Sequence, residues 1–326
     1  MIDALTLCPR ASNLIAHDFG DDRTAWLAAR RKGLGGSDIA PILGLSKWST
    51  SLQTWRRKMG MEPDSKASWQ MKQGTHNEPL IAEDWAERNG VTLVHLPYVT
   101  DADKPWRCAS VDYLGVFPDG HVEILEIKYS GKGIEDVPDY YYTQVMWYMA
   151  ITGIHQARLV VADFFHEPEG RKVEWDESIA NGLLTAADSW WTRYIEGDEA
   201  PEPSTADERK DAAFEKLAKS TVAMTADTRA CEIVAKLTAA KERKNGADDE
   251  IKILEADLAE HMANMGASKL DGGDWSATFV EKVGSIRYAE YVKAAGVTQE
   301  QLEPYRGNSS RYLTIRAKKN NGGNKE

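Results

Sequence analysis

The ten residues 121–130, HVEILEIKYS, constrain this 326-residue chain more than any other segment. Their apolar character predicts a strand over 122–129 that belongs in a core. Glu126 and Lys128 are two positions apart, and alternate side chains of a strand share a face, about 7 Å apart along it. Two charges on one face of a buried strand are costly unless they pair or act on something. Glu123 is an odd number of positions from Lys128 and faces the other way. An edge strand with a surface ion pair fits the same residues, so the neighbouring segments must decide.

Around this strand the patterns alternate. Residues 22–32, 37–43, 51–59, 77–89, 139–152 and 177–194 read as helices, and 91–96, 107–112 and 157–162 as further strands. Strands interleaved with helices predict an α/β domain whose sheet is covered on at least one face. The sharpest composition shift is IEGDEAPEPSTADERKD at 195–211, whose prolines and acids predict a solvated boundary. We therefore divide the chain into 1–200 and a C-terminal extension, 201–326. In the extension Ile251, Leu254, Leu258 and Met262 recur at helical spacing, with Ile233, Val234 and Leu237 upstream. The polar KERKNGADDE between them is either a turn at Asn245-Gly246 or the solvated middle of one helix. A helical hairpin and a partner-binding coil both fit. Residues 275–279 predict a short strand, and 305–325 hold six cations and no acid, as a flexible tail would.

Several side chains could carry chemistry with Glu126 and Lys128. The segment Ser110-Val-Asp112, followed by a turn at 113–115, would bring Asp112 beside Glu126 if the two strands are antiparallel neighbours. Two carboxylates so close are costly without a cation between them, and oxygen donors of this kind suit Mg²⁺ or Mn²⁺. A turn-capping role accounts for Asp112 equally well when it is taken alone. Glu78 follows Gly74 and opens the predicted helix 77–89, where capping alone explains an acid. Gln144 and Tyr148, four apart, share a helix face; an amide on a half-buried face needs partners, whereas Tyr148 also suits the core. Gly33-Leu-Gly-Gly-Ser37 feeds a helix whose first N–H groups could meet an anion, with Arg30 completing a phosphate pocket; an ordinary N-cap fits too. Lys47, Trp48, Arg56 and Arg57 interleave cations with aromatics as a nucleic-acid path does, although the intervening Trp55 also suits a core.

Charge bears on this reading. Residues 1–200 hold 20 Lys and Arg against 30 Asp and Glu, and the chain carries a net charge of -11. A protein that simply coats DNA should be basic, so nucleic acid would have to be handled through a local groove and bound cations. Three scattered cysteines, Cys8, Cys108 and Cys231, predict a reducing, cytoplasmic setting. The first residues lack an export signal, and no apolar run is long enough for a membrane span.

In chain order stand Trp-x-x-x-Arg30, Gly-Gly-Ser37, Gly-x-x-x-Glu78, Ser110-x-Asp112, Glu126-x-Lys128 and Gln144-x-x-x-Tyr148. Over residues 22–195 this order resembles the phage lambda exonuclease and YqaJ-type viral recombinase family of PD-(D/E)xK nucleases. The block GGSDIAPILGLSKWSTSLQTWRRKMG is especially similar to that family's opening block. The resemblance implies a restriction-endonuclease-like core, a central mixed sheet flanked by helices, with a mainly helical C-terminal extension. It implies a metal-dependent 5′→3′ exonuclease that hydrolyses duplex DNA ends to leave 3′ single-stranded tails for phage-type recombination. By the same resemblance, Glu78, Asp112, Glu126 and the Ile127 carbonyl would hold one or two Mg²⁺ or Mn²⁺ ions. Lys128 would orient or deprotonate the attacking water, Gln144 would support the site, and Arg30 and Ser37 would receive the 5′-phosphate, with Ser110 and Tyr148 beside the DNA. Expected partners are duplex DNA ends, a single-strand annealing protein and further copies of the chain, as in a trimer, in a host cytoplasm. One departure is Tyr113, where family members often carry glycine. A RecB-like nuclease of other polarity is an alternative within the fold, but that kind usually carries a four-cysteine cluster. A non-catalytic DNA-binding or phage assembly protein is the alternative outside it.

Overall fold

The computed structural model describes residues 3–20, 22–62, 68–130, 136–163, 166–217, 224–272, 275–281, 292 and 294–306. Contacts divide the chain into two compact units, Met1–Ala213 and Phe214–Glu326. Most of the cationic tail, beyond Arg306, lies outside the described residues.

The strands of the first unit are β1 (Leu14–His17), β2 (Thr92–Val94), β3 (Tyr98–Asp101), β4 (Cys108–Ala109), β5 (Tyr113–Val116), β6 (Val122–Tyr129), β7 (Gln156–Ala162) and β8 (Glu169–Glu174). Five of them form a mixed sheet in the order β2-β5-β6-β7-β8, parallel between β6 and β7 and antiparallel elsewhere. β1, β3 and β4 form a second, antiparallel sheet. The helices are α1 (Arg23–Arg31), α2 (Gly36–Ile42), α3 (Ser51–Lys58), α4 (Trp69–Asn89), α5 (Asp139–Thr152) and α6 (Glu177–Trp190), which continues as a π-helical turn over Trp191–Glu196. Parallel neighbours need a crossover, and α5 supplies it between β6 and β7. It starts after Pro138 and stops at Gly153, whose φ of 77° ends the helix cheaply.

β6 is covered on both faces. Ile124 packs in the cluster that includes Val145, Met149 and Ile151 of α5, while Leu125 and Ile127 pack with Ile81, Ala82 and Trp85 of α4. A strand buried on both sides reads as an almost unbroken apolar run, which is why this segment stood out. Glu126 is 1% exposed, so the edge-strand alternative fails. Glu123 turns to the other face, where it pairs with Arg158.

Four expectations need correction. Residues 107–112 are not one strand; Cys108–Ala109 alone forms a strand, Arg107 makes an isolated bridge to Leu34, and 110–112 leave the ladder. Residues 113–115 are not a turn but part of β5, and the reversal falls at Phe117–His121, closed by the Phe117 N–H to the His121 carbonyl at 2.9 Å. Tyr113 pairs with Leu125, so the same register carried back one residue sets Asp112 opposite Glu126. The expected juxtaposition therefore arises from a different turn. Third, α4 begins eight residues before the expected start, capped by Ser68, and runs through both Gly74 and Pro79. Glu78 thus stands in mid-helix, and the helix-terminus explanation for it lapses. Last, residues 195–211 are not a free linker, because α7 (Ala206–Leu217) carries the buried Glu208, which accepts from Thr50 Oγ1 and from the Ser204 N–H at 2.9 Å.

The second unit contains α8 (Thr228–Asn264), the antiparallel pair β9 (Lys269–Asp271) and β10 (Ser276–Thr278), and a short helix α9 (Gln299–Leu302). α8 is unbroken at Asn245-Gly246, so of the two readings of that polar stretch the solvated helix holds and the hairpin does not. Its first turn is closed by Asp227, which accepts from the Ala230 N–H at 2.7 Å.

α2 and α5 meet at a glycine. A Cβ on Gly36 would stand 2.7 Å from the Tyr148 ring and 2.9 Å from the Gln144 carbonyl, whereas one on Gly74 would meet nothing within 4 Å. We expect Gly36→Ala to cost roughly 1–3 kcal/mol through overpacking. Gly74→Ala, in a helix interior with open space, should add about 0.5–1 kcal/mol. Urea unfolding of the two variants checks both signs.

Candidate active site

A cavity of about 330 Å³ in the first unit gathers side chains that are far apart in the chain. α1 contributes Trp26 and Arg30, α2 Ser37, α4 Thr75 and Glu78, and the segment ahead of β5 Ser110 and Asp112. β6 contributes Glu126 and Lys128, and α5 Gln144 and Tyr148. All the residues singled out as acids, amine, amide and phosphate receiver therefore line one space. Lys47, Trp48, Arg56 and Arg57 are not among its lining residues. Trp48 is exposed and stands edge-on to Tyr140 at 4.8 Å, with the Lys47 amine 5.9 Å from the same ring. Arg57 donates to Thr54 Oγ1 at 3.0 Å, and Trp55 is core, donating its indole N–H to the Tyr194 carbonyl at 2.9 Å.

The acidic pole is built on β6. Glu126 Oε1 accepts from Lys128 Nζ and from Gln144 Nε2, while Gln144 Nε2 also lies 3.2 Å from the Tyr148 hydroxyl. Glu126 Oε2 is buried and has no partner. Asp112 Oδ2 accepts the Ile127 N–H at 2.8 Å, which locks the residue ahead of β5 to the neighbouring strand. Burial, and then the charge of Asp112, push the carboxyl of Glu78 up to about 7 and that of Glu126 up to about 8; Lys128 offsets part of this. Asp112 is raised as well, mainly by burial. Burial works against the Lys128 ammonium, but Glu126 and Asp112 outweigh it and hold the amine protonated.

Three acids thus share one cavity with one amine, and the buried Oε2 of Glu126 has nothing to bind. A divalent cation is the group this donor set lacks: hard oxygen ligands, excess negative charge and an orphaned acceptor all suit it. As the side chains stand, no three His, Cys, Asp or Glu residues among those described converge on a single ion position. Freeing Glu126 Oε1 from Lys128 would add a second oxygen to the one already unpaired.

The opposite pole is cationic. Arg30 Nη2 donates to Ser37 Oγ at 2.6 Å, and its guanidinium lies 4.9 Å from the Trp26 ring. Asp38, buried beneath it, accepts the Gly35 N–H at 3.0 Å and Lys58 Nζ at 2.8 Å, and Lys58 also donates to the Arg30 carbonyl at 2.8 Å. Burial alone would raise the Asp38 carboxyl, but Lys58 and Arg30 hold it below the usual carboxylate range. The N–H of the N-cap Gly35 is therefore occupied, while Arg30, Gly36 and Ser37 line the cavity. Sequence reasoning did not find the Asp38–Lys58 pair, since nothing distinguishes Lys58 from the adjoining Arg56 and Arg57 until α3 packs against α2. Nor did it single out His95 and Tyr98, which also line the space and carry no local pattern.

Residues 25–155 match the model of the YqaJ-like viral recombinase domain. Over 202 residues the chain is 28% identical to the uncharacterized protein YqaJ of Bacillus subtilis (strain 168), an alignment that takes in 59% of this chain and 62% of that relative's length. Among solved structures, the alkaline exonuclease LHK-Exo from Laribacter hongkongensis is similar at 16% identity and a TM-score of 0.43, covering 61% of this chain and all of that one. A phage-related exonuclease from Haemophilus somnus 129PT is similar at 12% identity and a TM-score of 0.38, over 51% of this chain and 96% of that one.

The raised carboxyls give a pH signature. A carboxyl whose folded value lies above its unfolded value, about 4.3, binds more protons in the folded state, so its stabilising contribution is full below that value. It is lost as pH climbs through about 7 for Glu78 and about 8 for Glu126. Metal-free protein should therefore lose thermal stability between roughly pH 5 and 8.5. A Mg²⁺ or Mn²⁺ ion, competing with those protons, should raise the melting temperature more near pH 8.5 than near pH 6. Thermal melts with and without the ion test this; equal shifts at both values would contradict it.

Proposed function

We propose, from the match of residues 25–155 to the YqaJ-like viral recombinase domain model, that the protein is a divalent-metal-dependent exonuclease that degrades linear duplex DNA 5′→3′, leaving 3′ single-stranded tails for phage-type recombination. The observation that carries this reading is the meeting of Glu78, Asp112, Glu126 and Lys128 in one cavity whose other wall holds Arg30 and Ser37. Glu78, Asp112 and Glu126, with the Ile127 carbonyl, would hold Mg²⁺ or Mn²⁺, one or two per site. Bound there, the ion would supply an activated water at neutral pH and neutralise charge on the phosphate being cleaved.

The protein's own groups divide the remaining work. Lys128, held as the ammonium, donates to the attacking water or to a phosphate oxygen and orients it; its raised basicity disfavours the role of proton acceptor. Gln144 holds Glu126 in place and ties it to Tyr148. Arg30 offers a planar fork to a terminal phosphate, stiffened by Trp26 and aligned by Ser37. Ser110, on the cavity wall, can donate to the sugar–phosphate backbone. A grip on the 5′-phosphate at one pole with hydrolysis at the other makes each cut release the terminal nucleotide and renews the same end. Lys47, Trp48, Arg56 and Arg57 would guide the duplex outside the cavity. This activity would act beside a single-strand annealing protein in a host cytoplasm, with trimer assembly as the expected arrangement of the nuclease.

Lys128→Ala and Asp112→Ala should each lower turnover by about a hundredfold or more at unchanged folding, the loss typical of a missing positioned group. Release of label from duplexes marked at the 5′ or the 3′ end, in Mg²⁺ and in chelator, reads both activity and polarity. Intact DNA with wild-type protein and Mg²⁺ would refute the nuclease. Arg30→Ala should abolish the preference for 5′-phosphorylated over 5′-hydroxyl ends; equal slowing of both would make Arg30 a general backbone contact.

A further inference from the structure

α8 is a 37-residue helix, about 55 Å long, and apart from the buried Met262 it exposes its large apolar side chains. Ile233 and Ile251 are more than half exposed, as is Leu254, and Leu237 and Leu258 are each more than a third exposed. Their numbers fall on an alternating three-four spacing through 230, 233, 237, 240, 244, 247, 251, 254, 258 and 261, the seam of a coiled coil. Apart from the half-buried Ala230 at its start, that seam is exposed along its whole length. A lone helix carrying such a stripe in water has little to hold it, since helices gain most of their stability from a packed apolar face. The interruptions agree with the seam: Asn245 and Gly246 fall on the outward side, and Lys244 is its single central cation.

The flanking charges identify the occupant. Beside the seam, the first half of α8 carries Lys236, Lys241 and Arg243, and the second half carries Asp248, Glu250 and Asp257. Two copies laid antiparallel with residues i and 491−i opposed put Ile233 on Leu258 of the second copy, Leu237 on its Leu254 and Lys244 on its Ala247. Every seam layer of one helix then meets a seam layer of the other. In that register the flanking positions meet two residues off the seam sum, which brings Lys236 to Asp257 of the second copy, Lys241 to its Asp248 and Arg243 to its Glu250. A parallel pair would instead bring Lys236 against Lys241 and Glu250 against Glu255, like charges that repel, and leave only Arg243 against Asp248 with opposite sign. We propose that α8 is a homodimerisation element, pairing with α8 of a second copy of this chain as an antiparallel coiled coil over residues 230–261. The proposal is independent of the nuclease reading.

The full chain tests it. In a Cys231→Ser background, Leu237→Cys and Leu254→Cys proteins are produced together, distinguished by tags, and oxidised with diamide. We expect a disulfide joining one variant to the other, because positions 237 and 254 face each other, and none within either variant alone. Light scattering should show Leu237→Glu/Leu254→Glu lowering the mass of the assembly at least twofold. Lys236→Glu/Lys241→Glu/Arg243→Glu should do the same, and adding Asp248→Lys/Glu250→Lys/Asp257→Lys should restore it. Linkage within each single variant would mean parallel pairing. A chain bearing both cysteines that links only to itself would mean a hairpin. No linkage, with mass unmoved by the glutamates, would mean that the stripe takes no second copy. Each of these three results overturns the proposal.

Discussion

The burial of β6 on both faces is the constraint from which the rest of the first unit follows. With α4 against one side and α5 against the other, the middle of the strand, Glu123 to Ile127, is buried, including Glu126 at 1% exposure. A buried carboxylate must be paired, and the pairing takes Lys128 from its own strand and Gln144 from the crossover helix. The same burial leaves Glu126 Oε2 unsatisfied and makes Asp112 and Glu78 repel it. A fold seeking only stability would place leucine here. The charge density is intelligible as a receptacle for cations, maintained by helices whose other contacts are ordinary packing.

How much of this could be read from the chain depended on whether a residue's role was local. The parity of Glu126, Lys128 and Glu123 follows from the two-residue repeat of a strand, and the structure has Glu123 on the opposite face with Arg158. The opposition of Asp112 to Glu126 was also legible, although through the wrong turn, because Tyr113–Val116 is too short a run to distinguish a strand from a reversal. The true length of α4 was hidden by Gly74 and Pro79, both ordinary helix breakers, whose cost is met by the packing of Ile81, Ala82 and Trp85. β1, β3 and β8 left little trace, since β1 and β3 pair across more than eighty residues and β8 is largely polar at the sheet edge. Asp38 with Lys58 was out of reach for the same reason: their meeting is made by tertiary packing and by nothing in their spacing.

The two units answer different physical demands. In the first, charge is buried and constrained by close contacts. In the second, α8 leaves apolar side chains in water, with the charges flanking its seam basic in the first half and acidic in the second. Composition hides that sorting, because residues 201–326 contain nearly equal numbers of acids and bases. Order along the helix axis is what carries the information.

α5 joins the two poles of the cavity. Gln144 reaches the acidic strand, Tyr148 one turn later reaches Gln144, and Gly36 of the arginine-bearing wall rests directly on both residues. The poles therefore share a rigid spacer, and a change that shifts α2 by a fraction of an ångström must also displace the amide that steadies Glu126. Variation at the terminus-gripping wall and at the hydrolytic wall will be epistatic, so lineages altering one are expected to carry compensating replacements along this single helix.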